Sequence, residues 1–102
     1  MKFTINSGEI NLINLARKLG YIPRASYKEE YEFIRPLLGR DYPRFHIYIR
    51  ENKDKNILAF SLHLDQKKPS YRGASAHSGE YEGEIVEKEA ERIKKIIEGN
   101  TS

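Results

Sequence analysis

The chain contains no cysteine, no membrane-spanning hydrophobic run and no apolar signal-peptide core. The lack of cysteine excludes disulfide bonds, thiolate nucleophiles and cysteine zinc sites, and it is compatible with a reducing compartment. No hydrophobic run approaches the length of a membrane span, and the first residues contain no apolar signal-peptide core. We therefore expect a cytoplasmic protein that does not associate with membranes.

Motifs for nucleotide-dependent and acyl-transfer chemistry are also absent. The sequence contains no phosphate-binding loop, no dinucleotide-binding fingerprint and no nucleophile elbow. We therefore expect neither ATP-dependent reactions nor acyl transfer, and the sequence indicates no cofactor.

Length and composition indicate a single folded domain spanning residues 1–102, with a small core and a highly charged surface. Hydrophobic residues make up 38% of the chain, charged residues 32% and aromatic residues 11%. The charge is uneven, because residues 1–79 hold 14 Lys and Arg against 8 Asp and Glu, whereas residues 80–102 hold 4 against 7. A basic body favours an anionic partner such as nucleic acid. Acidic residues at the start of a final helix would also complement the helix dipole.

The central part of the chain has the alternation of a β-hairpin. Residues 43–50 and 57–65 alternate apolar and polar side chains, and the polar run 51–56 joins them. One face of the hairpin is apolar and consists of Phe45, Ile47, Ile49, Leu58, Phe60, Leu62 and Leu64. The other face is polar and consists of Arg44, His46, Tyr48, Arg50, Ser61, His63 and Asp65. A turn centred on residues 54–55 predicts three cross-strand pairs on the polar face: His46 with His63, Arg44 with Asp65, and Tyr48 with Ser61.

A helix is predicted on each side of this hairpin. Asn6 or Ser7 can cap the first helix, which covers residues 9–19, and Gly20 can stop it. The last helix covers residues 84–98, and its buried stripe is predicted to be Val86, Ala90, Ile93 and Ile97.

Three further segments complete the predicted fold. Residues 28–35 fit an edge strand, while residues 3–5 are either a short strand or a packed lead-in. Residues 66–83 form a long loop rich in small and basic residues, and loops of this length are often functional. The expected fold is an α+β two-layer sandwich, in which a three-stranded antiparallel sheet packs on two helices in the order α-β-β-β-α.

The polar hairpin face and the long loop combine cations with aromatic rings. Arginine and lysine neutralise phosphates, and aromatic rings stack on unpaired bases. The sequence therefore predicts a small nucleic-acid-binding domain, with RNA as the favoured ligand. Its expected contact residues are Arg44, Tyr48, Arg50, Lys67, Lys68, Tyr71 and Arg72.

Three other hypotheses remain open. His46 and His63, with Asp65 orienting one imidazole, could cleave RNA by general acid–base chemistry as a nuclease or hydrolase, with or without a metal. His46, His63 and Asp65, joined by His77 from the long loop, also offer ligands that zinc, nickel or iron accept. The third hypothesis is a protein-interaction module or a homodimer that pairs through an exposed edge strand.

The element order resembles the small α-β-β-β-α proteins that include HicA-type toxin ribonucleases and double-stranded RNA-binding domains. The segment 15–22, with the sequence LARKLGYI, is similar to the first helix of HicA-like proteins and its exit through glycine and an aromatic residue. Those toxins carry Gly-Ser-His ahead of the middle strand, where this chain has residues 43–46, PRFH. The resemblance implies RNA binding and a catalytic role for His46.

Overall fold

The structure, a computed structural model, describes residues 1–6, 10–66, 79–80 and 83–100. Its helices and strands in chain order are β1 (Lys2–Asn6), α1 (Leu12–Leu19), β2 (Ile22–Tyr27), β3 (Glu30–Pro36), β4 (Arg44–Asn52), β5 (Ile57–Asp65), β6 (Gly79–Glu80) and α2 (Glu84–Asn100). Within these ranges, neither helix has the length and apolar character needed to cross a bilayer.

The prediction of a three-stranded sheet in the order α-β-β-β-α is wrong, although the α+β class is right. Five antiparallel strands lie side by side in the order β1-β5-β4-β3-β2, and the short β6 pairs with the end of β5. Every residue of β2 is exposed, so this strand lacks the apolar alternation that identifies a half-buried strand in a sequence. Residues 3–5, predicted as a short strand or a packed lead-in, belong to strand β1. This strand pairs with β5, which is more than fifty residues away in the sequence.

The strand predicted at the sheet edge lies inside the sheet. Strand β3 pairs with β2 on one side and with β4 on the other, so both of its backbone edges are hydrogen-bonded. Strand β3 therefore offers no free edge to a second chain, and a homodimer through one of the outer strands stays a prediction. In the part of the chain that the structure describes, β2 and β1 are the outer strands of the five-strand order.

The predicted central hairpin and its register are confirmed. Strands β4 and β5 pair His46 with His63, Arg44 with Asp65 and Tyr48 with Ser61. The apolar face is buried as predicted, with Phe45, Ile47, Ile49, Leu58, Phe60, Leu62 and Leu64 all in the core. Beyond the hairpin, part of the predicted loop at residues 66–83 returns to the sheet as β6, opposite Leu64 and Asp65. Residues 67–78 and 81–82 of that loop lie outside the described residues.

Both helices contribute their buried faces to the same core as the apolar side of the sheet. Helix α1 begins at Leu12, and its cap is Asn11, whose side chain accepts a hydrogen bond from the Asn14 backbone. The prediction of a start at residue 9 capped by Asn6 or Ser7 is therefore wrong, whereas the end at Gly20 is confirmed. The predicted stripe of α2 is buried in full: Val86, Ala90, Ile93 and Ile97.

A buried ionic network ties α2 to the rest of the fold. Glu89 on α2 is 4% exposed and accepts hydrogen bonds from the Tyr21 hydroxyl at 2.7 Å and from Arg92 at 2.7 and 2.9 Å. Arg35 of β3 reaches the same carboxylate at 3.3 Å, and Arg92 also donates to the backbone carbonyl of Leu19. Burial, and then the neighbouring Glu89 charge, raises the pKa of Tyr21, so its hydroxyl stays a donor.

Candidate functional site

The side of the sheet away from the core, called the polar face below, carries the predicted site residues in regular rows. The register of β4 and β5 places His46 beside His63, with ring centroids 4.7 Å apart. The next row along the strands holds Tyr48 and Ser61, and the Tyr48 ring lies 4.7 Å from the His46 ring. Because side chains alternate along a strand, every second residue of the hairpin contributes to this one surface.

The Asp65 carboxylate contacts both imidazoles. Its Oδ1 is 3.0 Å from His63 Nε2, and its Oδ2 is 3.3 Å from His46 Nδ1. Arg44, the cross-strand partner of Asp65, donates from Nε to Oδ2 at 3.4 Å. The hairpin thus brings together all three residues predicted as catalytic: His46, His63 and Asp65.

A second carboxylate approaches His46 from the neighbouring strand. Glu32 of β3 places Oε2 2.5 Å from His46 Nε2, so each ring nitrogen of His46 faces a carboxylate oxygen. A neutral imidazole has only one N–H, so in that form one nitrogen presents a lone pair toward an oxygen. The short distance to Glu32 has room only for a proton, whereas either a proton or a metal ion near Nδ1 and Asp65 makes the second contact favourable.

The two histidines are more enclosed than the sequence predicts for an open face. Each is 8% exposed as a residue, and the Asp65 and Glu32 side chains are 18% and 29% exposed. Burial is the main reason that the pKa of His63 is lowered, the His46 ring lowers it further, and Asp65 acts in the opposite direction. The cluster therefore sits at the surface but largely out of water.

The ligand geometry suits a metal ion. One ligand atom from each of His46, His63 and Asp65 lies within 4.8 Å of the other two. In a tetrahedral zinc site with bonds of about 2.0–2.1 Å, neighbouring ligand atoms lie about 3.4 Å apart. The two carboxylate-to-imidazole separations, 3.0 Å from Oδ1 and 3.3 Å from Oδ2, are of that size, although each involves a different oxygen of Asp65. His77, the other predicted metal ligand, lies outside the described residues.

Three of the predicted nucleic-acid contacts lie in β4, and the other four lie outside the described residues. Arg44 is paired with Asp65 and lies 4.5 Å from the Tyr42 ring, and Arg50 pairs with Glu30 at 2.9 Å. Tyr48 lines hollows on the polar face. The remaining predicted contacts, Lys67, Lys68, Tyr71 and Arg72, lie outside the described residues.

Glu32 is the site residue that the sequence analysis missed. It reaches His46 because β3 pairs with β4 in a register that places Glu32 opposite Tyr48, one row from His46. The predicted strand at residues 28–35 agrees approximately with β3. The register between β3 and β4 cannot be inferred from the connection at residues 37–43. The contact between Glu32 and His46 could therefore be found only from the assembled sheet.

Comparisons with protein-family models, with curated proteins and with solved structures found no match for this chain. The resemblance to HicA-type toxins therefore stays a prediction.

Proposed function

We propose that His46, His63 and Asp65 form a binding centre for one divalent transition-metal ion, with zinc as the representative ion. The observation that carries this proposal is the position of the Asp65 carboxylate, with one oxygen facing a nitrogen of each histidine. Two imidazoles and a carboxylate are ligands that zinc accepts, and three protein ligands leave a position for water or a substrate. A metal in such a site supplies an activated water for hydrolysis, which is how the nuclease alternative would operate.

Glu32 gives this centre the outer carboxylate that metal-bound histidines commonly have. A histidine that binds a metal through one nitrogen usually donates its other N–H to a carboxylate, which fixes the ring tautomer and orientation. Here Glu32 faces Nε2 of His46, which leaves Nδ1 directed toward Asp65 and the proposed metal position. The same arrangement gives Arg44 a role, because its hydrogen bond to Asp65 orients the carboxylate.

The test is a calorimetric titration of the full chain, freed of metal by a chelator, with zinc chloride. We expect one ion per chain and an increase in melting temperature as zinc is added. At a free zinc concentration about 100 times the dissociation constant, binding adds roughly 2.7 kcal/mol to the free energy of unfolding. For a domain of this size that corresponds to about 10–20 °C in melting temperature. Absence of binding by zinc, cobalt and nickel alike would refute the proposed centre.

Replacing Glu32 with glutamine tests the outer carboxylate. We expect Glu32→Gln to weaken zinc binding about 10-fold to 100-fold, because the His46 ring loses the charged partner that orients it. The matched control is Glu30→Gln, two residues earlier on the same strand, whose carboxylate pairs with Arg50. Equal zinc affinities for the two variants in the same titration would show that Glu32 does not support the centre.

The cytoplasm is our proposed location, and this proposal rests on the sequence argument alone. A chain without cysteine gains nothing from an oxidising compartment, since it cannot form disulfide bonds.

A further inference from the structure

A shallow hollow of about 730 Å³ lies on the polar face beside the proposed metal centre. Tyr48 and Ser61 line it and are cross-strand partners, and the next row on the same face is the histidine pair. Lys2 of β1 and Arg50 of β4 line it from either side of β5. The hollow therefore lies one row along the strands from the proposed metal ligands, on the same face of the sheet.

We infer that this hollow binds a nucleotide of a single-stranded nucleic acid, with its base on the Tyr48 ring and its phosphate held by Lys2 and Arg50. This inference rests on the proposed metal centre for its biological meaning, since it names the substrate class of that centre. The occupancy of the hollow does not itself require the metal.

The chemistry of the lining matches both parts of a nucleotide. Tyr48 and Ala59 offer an aromatic ring and a small apolar surface, and a base stacks on such a ring with little dependence on its sequence. Lys2 and Arg50 are two cations against the single carboxylate of Glu30 among the lining residues. They stand on strands separated by β5, opposite Ser61 and Ala59, so their backbones are roughly 12 Å apart and their long side chains can converge on one phosphate between them.

The ion pair between Arg50 and Glu30 does not prevent Arg50 from binding phosphate. The Arg50 side chain is 70% exposed and the Glu30 side chain 43%, and exposed ion pairs of this kind add little to stability. Arginine can then exchange the carboxylate for a phosphate, to which its planar guanidinium is well matched. Glu30, released from the pair, becomes an acceptor for an amino group of the base.

The experiment measures binding of a fluorescently labelled ten-nucleotide single strand, as RNA and as DNA of the same sequence, by anisotropy in the presence of EDTA. We expect Tyr48→Ala to weaken binding about 5-fold to 100-fold, and Tyr48→Phe, which keeps the ring, to bind as the unmodified chain does. Arg50→Ala should weaken binding and reduce the slope of log affinity against log salt by about one. Stronger binding of RNA than DNA would identify RNA as the source of the nucleotide.

Two control variants test whether the loss of binding is specific to Tyr48 and Arg50. Tyr27→Ala removes a tyrosine that is 75% exposed and lines the neighbouring hollow, and Lys53→Ala removes an exposed cation from the β4–β5 turn. We expect neither to change affinity by more than about twofold, since surface changes away from a contact are usually small. A larger loss in Tyr27→Ala than in Tyr48→Ala, or no binding of either strand by the unmodified chain, would overturn the inference.

The two proposals fail separately in these experiments. The zinc titration contains no nucleic acid, and the anisotropy experiment contains no free metal. Zinc binding without strand binding would remove only the hollow as a nucleotide site. Strand binding through Tyr48 and Arg50 without zinc binding would remove only the metal centre.

Discussion

Replacing Asp65 with asparagine is expected to weaken zinc binding more than about 100-fold. The substitution removes the charge of the carboxylate that faces both imidazoles, while it keeps the size of the side chain. Losing a direct ligand should cost more than losing an outer partner, for which losses of about 10-fold to 100-fold are usual. The measurement is the calorimetric titration with zinc, with circular dichroism to verify that the variant is folded.

Asp54→Asn is the matched control for this result, because Asp54 lies exposed in the turn between β4 and β5. It changes the net charge by the same amount without touching the site, and we expect its zinc affinity to equal that of the unmodified chain. If Asp65→Asn binds zinc as tightly as Asp54→Asn does, the ion is held elsewhere. His77→Ala in the same series tests the other predicted ligand.

Replacing Glu89 with alanine is expected to lower the free energy of unfolding by about 3–5 kcal/mol. The substitution leaves the buried Tyr21 hydroxyl without its acceptor. It also removes the charged hydrogen bonds to Arg35 and Arg92, whose side chains are each 32% exposed. The free energy is measured by urea denaturation, and the melting temperature should fall by at least about 12 °C.

The neighbouring Glu91→Ala provides the comparison, since Glu91 is on the same helix and exposed to solvent. We expect its effect to be within about 0.5 kcal/mol, as for most surface substitutions. A loss of stability in Glu89→Ala no larger than in Glu91→Ala would show that the network does not hold α2 in place. Zinc affinity should be unchanged in both folded variants, because Glu89 contacts none of the proposed ligands.

The candidate site could be predicted from the sequence only where a single hairpin forms it. The pairs of His46 with His63 and of Arg44 with Asp65 follow from the alternation of two adjacent segments and the short turn between them. Glu32 comes from a different hairpin, and its contact with His46 depends on the register between β3 and β4. Nothing local in the sequence specifies that register.

The limits of the fold prediction have a similar cause. Strands β4 and β5 and helix α2 show clear periodicity because one side of each is apolar and packs in the core, whereas the other side is polar. Strand β2 is exposed throughout, so its pairing is made by the backbone and leaves no pattern in its side chains. The prediction of three strands therefore omitted both outer strands. A strand at β1 was one of two alternatives for residues 3–5, and no strand was predicted at β2.

Glu89 illustrates what a helical pattern does not reveal. The spacing of Val86, Ala90 and Ile93 identifies the buried side of α2, and Glu89 lies beside that stripe. A glutamate in this position normally extends to solvent, and only the arrival of Tyr21, Arg35 and Arg92 makes its burial favourable.

The sequence by itself determined the elements whose stability depends on local periodicity: the central hairpin, its register, its apolar and polar faces, and the core side of the last helix. Tertiary structure alone decided the width of the sheet, the place of β3 inside it, and the two carboxylates that meet His46 and Tyr21. The physical reason is that alternation records which face of an element is buried. It does not record which distant strand or charge will lie against that element.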